Sequence, residues 1–162
     1  MNGSKLRLVG TLAGVALGLA VGGLALQAHA AGEDTMPTSK PADPDYVAGK
    51  KAVDAGDWNA AIAAFTRAAA RDAKNPDIQN YLGYSYRKAG NLDSAFKYYE
   101  VALKLEPDHK GAHEYIGEAY LMKGDLKMAK QHLDALDRIC TFGCSEYREL
   151  KKAVAEYEQQ KR

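Results

Sequence analysis

Two cysteines, Cys140 and Cys144, and three of the four histidines, His109, His113 and His132, fall in the last third of a 162-residue chain. Thiols four positions apart across a turn containing Gly143 suit three chemistries. In an oxidising compartment they close as a disulfide. As a redox-active pair they depart from C-x-x-C spacing and lack a strand-helix context. As thiolates they are soft ligands for Cu(I), with His132 or Met128 as a further donor of the right type. Along a helix, however, His132 would lie about 12 Å from Cys140 by rise alone and Met128 about 18 Å. Haem attachment needs a histidine where Ser145 stands. His109 and His113 are four apart without an evident third ligand and read as a surface pair. Glu114 and Glu118, also four apart, read as solvated acids on a helix face rather than as a general acid and base. The chain has no Gly-rich phosphate loop, no G-x-S-x-G and no H-E-x-x-H. The expectation is no catalysis, no cofactor and no metal.

The elements that must position these residues come from the rest of the chain. With 46% apolar and 27% charged residues, composition predicts one globular domain with an appendage. Lys and Arg number 22 against 21 Asp and Glu, with no basic stripe, which disfavours a nucleic-acid partner. Lys5 and Arg7 precede an uncharged run over residues 8–26, followed by Ala28-His29-Ala30. This is the order of a secretory signal peptide over residues 1–30, cleaved after Ala30. The run is 19 residues long, enough to be weighed as a retained anchor. Cleavage removes two basic residues and no acidic one, taking the formal net charge from +1 to −1. Residues 31–45 hold three of the five prolines and few apolar side chains, and predict a flexible linker. A periplasmic or secreted location follows, with no membrane span in the mature form.

Residues 46–141 repeat. Gly49, Gly83 and Gly117 are 34 apart; so are Gly56, Gly90 and Gly124, and so are Ala61, Ala95 and Ala129. Six glycines in register by chance has a probability on the order of one in ten million. Tyr86 and Tyr120 follow the first glycine by three, and Phe65, Tyr99 and Leu133 follow the second by nine. A helix ending at each second glycine, with Asp57, Asn91 or Asp125 capping the next, makes each copy a helical hairpin. Small residues at Gly49 with Ala61, and at their counterparts, are expected to let two backbones approach, while Phe65, Tyr99 and Leu133 fill space towards the next copy. One hairpin cannot bury its apolar face alone, so the copies must stack.

The middle copy, with Leu82, Gly83, Tyr86, Gly90, Ala95, Tyr99, Ala102 and Pro107, resembles the tetratricopeptide repeat family. The first copy departs from the pattern at Ala48, Ala52 and Ala73, and the third at Leu136 and Thr141. The resemblance implies an all-α right-handed solenoid of three repeats, over about residues 42–75, 76–109 and 110–141. It also implies a concave groove lined by the first helix of each pair. In that register the groove collects Tyr46, Lys50, Asn80, Tyr84, Arg87, Lys88, Glu114, Glu118 and Met122. The lining is basic over two repeats and acidic in the third, and would suit a polarised peptide or a partner helix with ends of opposite charge. Lysines and asparagines that chaperone adaptors of the family use to clamp a C-terminal carboxylate are not reproduced.

Residues 142–162 predict a cysteine turn and a capping helix from Ser145 to Gln160, with Tyr147, Leu150, Val154 and Tyr157 on one side. The function expected is an exported binding module for a protein or peptide partner in the concave groove. The alternatives are thiol or copper handling by Cys140 and Cys144, and self-association through an exposed solenoid end.

Overall fold

The computed structural model describes residues 43–161. The signal peptide expected over residues 1–30, and most of the linker, lie outside the described residues. Seven helices follow one another: α1 (Pro44–Asp54), α2 (Trp58–Arg71), α3 (Pro76–Lys88), α4 (Leu92–Leu105), α5 (Lys110–Lys123), α6 (Leu126–Ile139) and α7 (Ser145–Gln160). No strand is present among the described residues. None of these helices is long and apolar enough to cross a membrane.

The last residues assigned to the linker belong to α1. Asp43 is its N-cap, its Oδ1 accepting the N–H groups of Asp45 at 2.9 Å and Tyr46 at 3.0 Å. Pro44 occupies the first turn, where its missing N–H costs no hydrogen bond, so a proline that reads as linker is a helix start. Arg71, at the end of α2, bonds both Asp43 and Asp45 and ties the ends of the first hairpin together.

Each hairpin turns on a left-handed glycine, with φ of 70° at Gly56, 84° at Gly90 and 89° at Gly124. Asp57, Asn91 and Asp125 then cap α2, α4 and α6 by accepting the N–H three residues on, at 2.9 to 3.0 Å.

The first glycine of each repeat serves a different purpose from the one expected. A Cβ on Gly49 would lie 2.6 Å from the Phe65 ring, and one on Gly83 would lie 2.5 Å from the Tyr99 ring. These glycines make room for the aromatic of their own hairpin; Phe65 and Tyr99 are fully buried there. In the third repeat the corresponding space is taken by Leu150 of α7, 2.6 Å from such a Cβ. Leu133 is only partly buried, so the cap supplies the bulk that the third repeat's own residue does not.

That substitution also accounts for Leu136, which stands where the first two repeats have Ala68 and Ala102. It is fully buried with Leu150, Val154 and Cys140, where α7 packs across α5 and α6. The polar residues of α7 face outward, which closes the solenoid.

Candidate functional site: the concave face

Helices α1, α3 and α5 present their groove positions in a connected run. Tyr46 packs edge-on against Phe65 and Tyr81, with ring centroids 5.8 Å apart in each case. Burial pushes its phenol up to about 12. Lys50 Nζ donates to the Tyr81 hydroxyl and lies 4.5 Å over that ring. Tyr84 is flanked by Trp58 at 6.1 Å and Tyr115 at 4.8 Å, and Lys88, itself exposed, stands 5.5 Å over Trp58. The result is an aromatic run, Trp58, Tyr84 and Tyr115, crossing from the first repeat to the third.

Arg87 is the keystone of this run rather than a free anchor. It is 8% exposed and lies over both Tyr84 and Tyr115, at 5.4 and 5.5 Å. Its Nε donates to the Tyr99 hydroxyl at 3.3 Å and its Nη2 to Glu118 Oε2 at 2.7 Å. Burial acts against its charge, but Tyr99 and Glu118 more than offset it, so the guanidinium is held more firmly protonated than usual.

Glu114 is different. It is half-buried and forms no ion pair among the described residues. Burial, then Glu118 and Glu146, push its carboxyl up to about 7, with Glu149 adding to the effect and Arg87 opposing it. Asn80 is 4% exposed, and its Oδ1 is a buried atom without a hydrogen-bond partner among the described residues. Met122 is exposed and joins none of these contacts.

Periodicity also marks groove residues beyond those expected above. Tyr81 and Tyr115 are themselves 34 apart and line the same face. Trp58 has no counterpart at the repeat spacing, where Leu92 and Leu126 stand, and its reach from α2 to Tyr84 depends on the hairpin angle.

The histidines do not form the expected surface pair. His109 is buried and caps α5: its Nδ1 accepts the Ala112 N–H at 3.1 Å, so its Nε2 carries the proton facing Asp77 at 3.2 Å. His113 meets His132 instead, Nδ1 to Nδ1, at 3.0 Å. The cysteine sulfurs are bonded to each other as a disulfide, with the two Cα atoms 5.6 Å apart, and Cys144 Sγ accepts the Tyr147 N–H as the cap of α7. Neither thiolate is left to bind copper in this state. Among the described residues no group of three or more His, Cys, Asp or Glu is placed to hold a metal ion.

Models of the tetratricopeptide repeat match residues 46–108 and 86–154. The chain belongs to the tetratricopeptide repeat family. Solved structures share its fold at low identity. The TPR2B domain in the pHsp70 complex of yeast Sti1 superposes with a TM-score of 0.66 at 20% identity, covering 72% of this chain and 94% of that one. The second TPR domain of human RPAP3, in complex with the HSP70 peptide SGPTIEEVD, gives 0.60 at 24%, covering 67% and 91%. The Yersinia enterocolitica type III secretion chaperone SycD, in complex with a peptide of the translocator YopD, gives 0.63 at 17%, covering 73% and 92%.

Proposed function

We propose that this tetratricopeptide repeat protein is an exported, non-catalytic interaction module that holds a peptide or protein partner in its concave face, in the assembly or regulation of an envelope complex. The observation that carries the reading is the aromatic run Trp58, Tyr84 and Tyr115, with Lys50 and Lys88 towards one end and Glu114 with Glu118 towards the other. Tyrosine and tryptophan present large, stiff surfaces at small entropic cost, which is why they anchor interfaces. The pHsp70 complex of yeast Sti1 and the peptide complexes of human RPAP3 and SycD support the same use of the fold. Export rests on the basic, apolar and small-residue order of residues 1–30.

Crosslinking in cells followed by pull-down tests this directly, with a Tyr84→Ala, Lys88→Glu variant in parallel. Both positions reach solvent, unlike Arg87, so circular dichroism should show the fold retained. A partner captured by the native protein and lost by the folded variant is the expected result; equal capture by both proteins overturns the concave-face reading. Intact mass of the uncrosslinked protein tests cleavage of the signal, which gives a chain beginning at Ala31, whereas a retained anchor gives the full chain.

A further inference from the structure

The turns that follow α2, α4 and α6 share one hydrogen bond. Asn75 N–H donates to the Asp72 carbonyl at 3.4 Å, His109 N–H to that of Glu106 at 3.1 Å and Gly143 N–H to that of Cys140 at 2.9 Å. The third residue of each turn is Lys74, then Asp108, then Phe142, at intervals of 34. All three are exposed, and a charged side chain at an exposed turn needs no explanation. Phe142 does: it is 101% exposed, while Met122, the next most exposed large apolar side chain among the described residues, stands at 55%. Its turn is also the most constrained of the three. The disulfide between Cys140 and Cys144 closes it, and Gly143 takes a left-handed φ of 78° to reach Cys144, the cap of α7. A turn closed in this way has little freedom left to lose when its side chain docks.

A receptor of matching size lies on the same edge. A cavity of about 270 Å³ opens between the α4–α5 turn and the end of α6, lined by Pro107, Asp108, His113, Ala135, Arg138 and Ile139. Ile139 stands three residues before Phe142, so ring and cavity adjoin along the chain. Full exposure of Phe142 means that it does not fill the cavity of its own chain. Pro107, Ala135 and Ile139 supply apolar walls. Asp108 and Arg138 bring opposite charges; both are exposed and neither forms an ion pair among the described residues.

We infer that this edge joins two copies of the chain about a two-fold axis, the Phe142 ring of each entering the cavity between Pro107, Ala135 and Ile139 of the other. A two-fold interface requires a single patch to carry both halves of every contact. This edge does so twice, with a ring beside an apolar cavity and with Asp108 beside Arg138. A phenylalanine buries roughly 150–250 Å². Two rings and the walls they cover fall short of the roughly 1,200 Å² of stable complexes, so the dimer is weak and reversible and forms at high concentration. None of these residues belongs to the aromatic run Trp58, Tyr84 and Tyr115, and the pairing is independent of the concave-face reading.

Sedimentation equilibrium of the purified protein from about 5 to 500 µM, the range in which so small an interface would form, tests this. The average mass should rise from one chain towards two and go no further. Phe142→Ser should remain a single chain throughout, with an unchanged circular dichroism spectrum because the ring it removes is fully exposed. A native protein that is still one chain at the highest concentration, growth past two chains, or equal association by Phe142→Ser overturns the inference. To locate the contact, p-azidophenylalanine replaces Phe142 and this chain is mixed with isotope-labelled native chain before irradiation. Crosslinks between labelled and unlabelled peptides should fall within residues 107–113 and 135–139. Crosslinks confined to one chain, lying elsewhere on the second, or absent at the dimer-forming concentration overturn the assignment of the cavity.

Discussion

Arg87 of α3 donates to Glu118 of α5 at 2.7 Å while Glu114, one turn earlier on α5, has no such partner among the described residues. One guanidinium thus joins the second and third repeats and leaves the other carboxyl uncompensated. Removing a member of a buried pair leaves the other charge desolvated. Arg87→Ala should therefore lose about 3 kcal/mol of stability, at the low end of the range for broken buried pairs because Glu118 keeps some contact with water. Urea unfolding of Arg87→Ala and of an Arg87→Met, Glu118→Leu double variant measures it. The double variant should recover most of the loss; an equal loss in both would place the cost in packing rather than in the unpaired charge.

Glu114 titrates near pH 7 in the fold, above its ordinary value of 4.5. The folded state therefore binds this proton more tightly than the unfolded chain, and stability falls as pH rises from 4.5 through 7. Glu114→Gln removes that loss. It should stabilise the protein at pH 8 on the order of 1 kcal/mol, once allowance is made for the water that reaches the carboxyl, and by little at pH 5. Thermal melts at the two pH values decide it: an equal shift at both would mean that the effect is not titration.

The two glycines of the middle repeat fail differently. Gly83→Ala puts a methyl 2.5 Å from the Tyr99 ring, which is fully buried and cannot move aside. Overpacking of that kind costs about 1–3 kcal/mol. At Gly90 nothing lies within 4 Å of a Cβ, but φ is 84°, so alanine there should cost about 1 kcal/mol through backbone strain alone. Trimming Tyr99 to Leu should rescue part of the Gly83→Ala loss and none of the Gly90→Ala loss. Rescue of both would refute the distinction.

The repeat, the turns and the cap were legible because each depends on local chemistry at a fixed period: a left-handed glycine, an Asp or Asn cap after it, an apolar stripe on α7. What the sequence concealed is set by directions in space. Gly83 reads equally well as room for a backbone or for a ring, and only the angle between α3 and α4 selects Tyr99. Arg87 reads as an exposed anchor because its helix position faces the groove, yet four aromatic and acidic neighbours from α3, α4 and α5 cover it. Asp77, Glu106, Asp108 and Glu146, which line one cavity, come from three segments 29 to 38 residues apart, so spacing along the chain could not group them.

The His113–His132 contact is of the same concealed kind, and its protons follow from its geometry. His113 Nε2 donates to the Pro107 carbonyl at 2.8 Å, so its Nδ1 is the acceptor and His132 Nδ1 carries the shared proton. Tyr120 stacks on His132 at 5.6 Å. Burial, then His113, pulls His132 down to about 4. Burial lowers His113 too; the Pro107 carbonyl and Asp108 resist this, while His109 and Arg138 add to it. Both rings are thus neutral in the fold at pH values where the unfolded chain is protonated. Stability they contribute is present above pH 6.5 and is lost as pH falls towards 4, the reverse of the Glu114 effect in an overlapping window. The measurement must therefore be made in a Glu114→Gln background, by long-range proton–nitrogen correlation of the imidazoles. His132 should show the Nδ1–H form down to pH 5.5, with His113 in the Nε2–H form wherever both rings are neutral, and unfolding free energy should fall on the order of 2 kcal/mol between pH 7 and pH 4.5. A His132 ring that protonates near 6.5 would mean that the two imidazoles are apart in solution and that this hairpin carries no acid-labile stability.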